Sequence, residues 1–142
     1  MTIPQLSIFI ENRSGTLITV LDVLKQAGIQ IIASTIADTA EYGIYRLICN
    51  EPSRACEELK KAGVAVALSD VFALEIDDQP GRAADAVETF SKAGISITYM
   101  YSFLLNGKGI LIFRTDNPEQ ARETISKNGL KFIAENDLTN WA

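Results

Sequence analysis

Slid against itself by 66 positions, the chain aligns without a gap from residue 5 to residue 67. Ile10, Gly15, Ala27, Gly28, Ile29 and Ile31 fall on Ile76, Gly81, Ala93, Gly94, Ile95 and Ile97. Gly43, Ile44 and Pro52 fall on Gly109, Ile110 and Pro118, and Ala55, Glu57, Lys61 and Gly63 on Ala121, Glu123, Lys127 and Gly129. Glycine and proline each mark a backbone requirement, so their coincidence at one offset points to one local structure used twice. The 142 residues are therefore expected to form two units, 1–69 and 70–142, each near the lower size limit for folding alone. The boundary falls at Ser69-Asp70 with almost no linker, so the units should pack directly on each other.

One unit gives the order of elements. Leu6 to Ile10 alternates like a strand, with Leu6, Ile8 and Ile10 on one face. A polar turn ends at Gly15. Leu17, Val20, Leu21, Leu24 and Ala27 then recur at helical spacing, and Gly28 suits the helix end. Strands come next at Ile29 to Ala37 and Ile44 to Cys49. Pro52 opens a helix with Ala55, Leu59 and Ala62 on its apolar face, and Val64 to Leu68 is a fourth strand. The second unit repeats this, with strands Val71 to Ile76, Ile95 to Leu104, Gly109 to Thr115 and Leu130 to Ala134, and helices Gly81 to Ala93 and Pro118 to Asn128. The fold expected is α+β: two tandem ferredoxin-like βαββαβ units, each an antiparallel sheet with two helices on one face. Ser7, Phe9 and Glu11, with Ala73 and Glu75 in the second copy, point to the other face. That mixture suggests a mostly solvated surface.

Composition narrows the function. Thirteen basic against eighteen acidic side chains give a net charge of −5, which with no basic run disfavours nucleic acid and anionic membranes as partners. No segment approaches the roughly 20 apolar residues of a membrane span, and Met1 to Ile10 lacks a signal-peptide pattern. Cys49 and Cys56 match no zinc or CxxC spacing; two buried thiols in a cytoplasmic protein are expected, although the spacing also permits a disulfide. The chain has no histidine, which removes the commonest general base and metal ligand. No cofactor or metal site is indicated.

The informative segment is Glu11-Asn12-Arg13-Ser14-Gly15-Thr16-Leu17, where a strand ends, turns on glycine and opens a helix. Free backbone N–H groups and partial positive charge at a helix start suit a carboxylate or phosphate. Asn12 can donate and accept, so it could hold either end of a zwitterion. The plainer alternative is that Asn12 or Ser14 caps the helix and Gly15 makes the turn. Gly15 and Gly81 should need to stay small so that the backbone can approach a ligand or a neighbouring segment.

With Ala27-Gly28-Ile29-Gln30-Ile31 downstream, this segment resembles the start of an ACT domain, the regulatory module of enzymes such as phosphoglycerate dehydrogenase and aspartate kinase. Asp77-Asp78-Gln79-Pro80-Gly81-Arg82-Ala83 with Ala93 to Ile97 resembles it again, and the likeness covers nearly the whole chain. The resemblance implies side-by-side pairing through second strands, with a free amino acid at the seam. It places ligand contacts on Asn12, Arg13, Ser14, Gly15, Thr16, Leu17 and Gln30 in the first unit, and on Asp78, Gln79, Pro80, Gly81 and Ser96 in the second. Serine-binding members carry asparagine where Gln30 and Ser96 stand and, in some, histidine at Ile10. Another ligand is implied here.

Thr98 to Phe103 is unusually aromatic and its counterpart, Ile32 to Ala37, is small, so Tyr99, Met100 or Tyr101 could line a pocket at such a seam. Alternation instead predicts that Tyr99, Tyr101 and Phe103 continue the face of Ile95 and Ile97 and fill the core beneath the helices. The expected partners are a free amino acid, an enzyme of amino acid metabolism and a second copy of the chain. Two other functions stay open. One is a ligand-free dimerisation module. The other is a small enzyme using Asp77, Asp78 and Glu11, disfavoured by the lack of histidine.

Overall fold

The computed structural model describes residues 1–11, 13–38, 42–77 and 79–139. Its elements are β1 (Thr2–Glu11), α1 (Thr16–Gln26), β2 (Ile31–Asp38), β3 (Tyr42–Cys49), α2 (Pro52–Lys61), β4 (Ala65–Ile76), α3 (Arg82–Lys92), β5 (Ile97–Leu105), β6 (Lys108–Thr115), α4 (Pro118–Lys127) and α5 (Glu135–Thr139). The chain divides into two compact units. The first holds residues 4–69 and 136–139 of those described, the second residues 1–3 and 70–135. The strands expected separately at Val64 to Leu68 and Val71 to Ile76 form one strand, β4, so the chain passes from one unit to the other inside a strand.

In the first unit the strand order is β2-β3-β1-β4, the antiparallel order of a βαββαβ fold. Period-two alternation puts Leu6 and Ile8 of β1 with Tyr45 and Leu47 of β3 on one face. Against them pack Val20 and Leu24 of α1 and Leu59 of α2. In the second unit the order is β4-β6-β5. Phe72, Leu74, Leu111 and Phe113 meet Ala86 and Phe90 of α3 and Ile125 of α4. The Phe113 ring stacks on Phe72 at 5.3 Å between centroids and tilts against Phe90 at 4.8 Å. The fourth strand expected at Leu130 to Ala134 is reduced to a bridge, Leu74 opposite Phe132, flanked by Glu75 N–H to Lys131 O (2.9 Å) and Ile133 N–H to Ala73 O (2.8 Å).

The repeat extends to tethers built from unlike residues. Asn50 Oδ1 accepts from the Gln30 amide at 3.0 Å, and Asp116 Oδ1 from the Ser96 amide at 3.2 Å. Arg54 donates to the Ala27 carbonyl, and Gln120 Nε2 donates to the Ala93 carbonyl at 2.7 Å. Each pair joins the exit of the first helix in its unit to the entry of the second.

Three expectations need correction. Among the described residues, β2 pairs only with β3 and β5 only with β6, so the pairing of second strands is not formed within the chain. Each is an edge strand. Next, the ladder slips between Ile97 and Tyr99, and likewise between Ile31 and Ala33. This bulge reverses the facing of everything after it. Tyr99, Tyr101 and Phe103 lie opposite Arg114, Ile112 and Ile110, on the face away from the helices, and do not continue the Ile97 face. Finally, that face is not mostly solvated. Phe9 is 52% exposed, but Ile48, Ala73, Ile110 and Ile112 are fully buried. The run Ile110 to Phe113 has the continuous apolar character of a strand buried on both sides. Cys49 and Cys56 are free and buried, which removes the disulfide alternative. Among the described residues, no helix is long and apolar enough to cross a membrane.

Candidate ligand site

Each unit ends its first strand in a turn that opens its first helix, and glycine makes the opening in both. Gly15 (φ +92°) and Gly81 (φ +87°) are left-handed N-cap residues, and no side chain caps either helix. Ser14 is therefore not the cap that its sequence position suggested. A Cβ at either glycine would meet nothing within 4 Å. The dihedral angle calls for glycine here, and no neighbouring segment crowds either position, which corrects the part of the expectation that concerned a neighbouring segment. Asn12 and Asp78, on which the expected recognition centred, lie outside the described residues.

The two turns differ in the residues just after the glycine. In the first unit Thr16 closes the turn: its hydroxyl lies 2.7 Å from the Glu11 carbonyl oxygen and 2.8 Å from that of Arg13. Arg13 itself forms an ion pair with the Glu11 carboxylate, and Leu17 packs on the core. In the second unit Arg82 stands in place of Thr16. Its Nη1 lies 3.3 Å from Asp85 Oδ2, and its Nε lies 3.7 Å from Asp77 Oδ2, too long for a hydrogen bond. Ala83 replaces Leu17.

These changes border a cleft of about 330 Å³. Ile76, Asp77, Gln79, Gly81, Arg82 and Ala83 form one wall, and Ser102, Leu104 and Gly109 face them from the sheet. Gly109 lies between Ile76 and Leu104 in the ladder, so its missing side chain lowers the floor. In the first unit the matching glycine is Gly43. A Cβ there would lie 3.1 Å from Ile10 Cγ1, much as one at Gly109 would lie 3.0 Å from Ile76 Cγ1, and 3.8 Å from Ile36 Cγ2, so the cover that differs between the units is Ile36. The counterpart of Ile36 is Ser102. A second hollow, of about 460 Å³, lies on the other side of Arg82, between α3 and Leu130-Lys131, where the fourth strand is only a bridge.

The remaining expected site residues do not converge on this cleft. Gln30 and Ser96 sit beside Asn50 and Asp116, at the far ends of β3 and β6 from the turns. From Gly43 to Cys49 the strand climbs about 20 Å at ~3.4 Å per residue, so within a unit one ligand cannot touch both ends. Tyr99 and Tyr101 are half-buried on the far face, and Met100, 48% exposed, faces the helix side opposite Phe113. The strand reaches the cleft further along, at Ser102 and Leu104. Gln79 and Gly81 line the cleft, and Pro80 is exposed beside it. Sequence reasoning missed Arg82, Ala83, Ser102, Leu104 and Gly109. The repeat held the signal, in the positions where its copies disagree.

Residues 1–142 match a family described as an ACT domain pair. The chain belongs to that family. This pair is similar to protein BT0572 from Bacteroides thetaiotaomicron, with 35% identity, 98% of this chain and 96% of that one covered, and a TM-score of 0.92. It shares its fold with the regulatory subunit of aspartate kinase from Thermus thermophilus in its ligand-free form, at 14% identity, 87% and 91% coverage and a TM-score of 0.62. The corresponding subunit from Thermus flavus gives 14%, 87% and 90%, and 0.58. A search of curated proteins found no match.

Proposed function

We propose that this ACT pair is a non-catalytic regulatory protein that binds a free amino acid at a seam beside an edge strand. The observation that carries the proposal is the cleft between the glycine turn and β5, where an ion pair borders an apolar floor. Its volume lies at the small end of ligand sites. The backbone amides of the turn and the guanidinium of Arg82 suit a carboxylate, and Asp77 suits an ammonium. Ile76, Ala83 and Leu104 suit an apolar side chain. Burying a Leu-sized group is worth about 1.5–3 kcal/mol, more than the ~0.3–1 kcal/mol of the helix dipole, so the pocket wall sets the choice of ligand.

The open edge of β5 beside the cleft is where a second copy would complete the seam. Neither β2 nor β5 carries the lysine or proline that blunts exposed edges, and Ile36, Met100 and Leu104 are 48%, 48% and 64% exposed. A homodimer joined along these edges, acting on an enzyme of amino acid metabolism, belongs to the same proposal. The free edges also favour a second reading, a dimerisation module with no ligand. A thermal-shift screen of the free amino acids separates the two. Stabilisation by a residue with a sizeable apolar side chain supports the sensor, stabilisation by serine alone overturns the apolar pocket, and no shift with any amino acid leaves the ligand-free module.

A further inference from the structure

We infer that the repeat has been made unequal, so that one amino acid binds per chain, in the second unit alone, with Arg82 holding its carboxylate. This rests on the amino acid reading above and narrows it to one site and one recognising side chain.

Three substitutions between copies, all around the same spot, carry the inference. Thr16 becomes Arg82, Leu17 becomes Ala83 and Ile36 becomes Ser102. In the first unit Thr16 spends its hydroxyl on two turn carbonyls, Leu17 packs on the core, and Ile36 leans over Gly43. Each act fills or closes the place a ligand would take. In the second unit the two branched side chains are cut back to Ala83 and Ser102, and the open cleft lies there, above Gly109. The position that closed the first turn now supplies a cation. Arg82 is held on one side by Asp85 at 3.3 Å, while its Nε faces Asp77 across 3.7 Å without a hydrogen bond. A zwitterion fits that loose pair, its carboxylate on the guanidinium and its ammonium on Asp77, and the Asp85 contact keeps the fork aimed. The side chain then points to Ala83, Ser102 and Gly109.

The test is calorimetry on the full chain with L-leucine, L-isoleucine, L-valine, L-methionine, L-phenylalanine, L-tyrosine and L-tryptophan, and with the methyl ester of whichever binds. The result expected is one site per chain, binding at least tenfold weaker for the ester, and a like loss in R82Q. Refilling the cleft with Ala83→Leu and Ser102→Ile should abolish binding. Two sites per chain, undiminished binding in the refilled variant, or an ester as tight as the acid would overturn the inference and leave the sensor function standing. No binding by any of the seven would reject that function and this inference together. Because the ester comparison and the site count use the parent chain, misfolding of a variant cannot hide the answer.

Discussion

Gly109 lies so close to Ile76 in the β4–β6 ladder that a Cβ on it would stand 2.9 Å from the Ile76 carbonyl oxygen. Backbone cannot swing aside as a side-chain tip can, so Gly109→Ala should shift β6 against β4 and cost about 1–3 kcal/mol. At Gly43, the same place in the first unit, the nearest atom is Ile10 Cγ1 at 3.1 Å, which can turn. Gly43→Ala should therefore cost less than Gly109→Ala. Urea unfolding of the two variants checks the order, and an equal or reversed order would show that the second strand pair is not the tighter one.

Gly15 tests conformation without crowding. Open space around its missing Cβ and φ of +92° mean that any cost comes from the left-handed angle, about 1–2 kcal/mol for an ordinary L-residue. Gly15→Val should lose that much or more in thermal or urea unfolding. Gly15→Asn should lose less, since asparagine tolerates the region. A harmless Gly15→Val would mean that the turn relaxes freely.

Cys49 makes stability depend on alkaline pH. Burial pushes its thiol up from 9.0 to about 11, with the Glu51 carboxylate adding to the rise and a hydrogen bond to the Glu51 backbone opposing it. The folded chain thus disfavours the thiolate. The folded-state value lies above the unfolded one, so this contribution is whole below pH 9 and fades as pH climbs through 11, by up to ~2–3 kcal/mol. Unfolding free energies at pH 8 and pH 10.5 should differ in the parent and differ less in Cys49→Ala. Alkylation at pH 8 should be slow until the chain is unfolded.

The free edges give a prediction about assembly. Sedimentation at micromolar concentration should show a species heavier than the 142-residue chain, and Ile36→Lys with Met100→Lys should return it to monomer by charging both edges. A parent that is monomeric throughout would remove the homodimer from the account.

The repeat made the order of elements legible, because glycine, proline and apolar spacing are local backbone requirements that any copy must meet. Three things escaped. The bulge between Ile97 and Tyr99 adds a residue without a glycine or proline to mark it, so simple alternation put Tyr99 and Tyr101 on the wrong face. The merger of two expected strands into β4 depends on pairing with distant segments, which Ser69-Asp70 does not announce. The family resemblance groups Gln30 and Ser96 with the turns, and only the strand register shows that they lie at the opposite end of each unit. Ser102 and Ala83 were passed over because small residues look uninformative until set beside Ile36 and Leu17.

The most direct measurement is a crystal structure of the full chain grown with the amino acid that most raises its melting temperature. One ligand per chain is expected, in the second unit, with its carboxylate on Arg82, its ammonium on Asp77 and its side chain over Gly109 between Ala83 and Ser102. A ligand seated at the Arg13–Thr16 turn instead, or one in each unit, would contradict it.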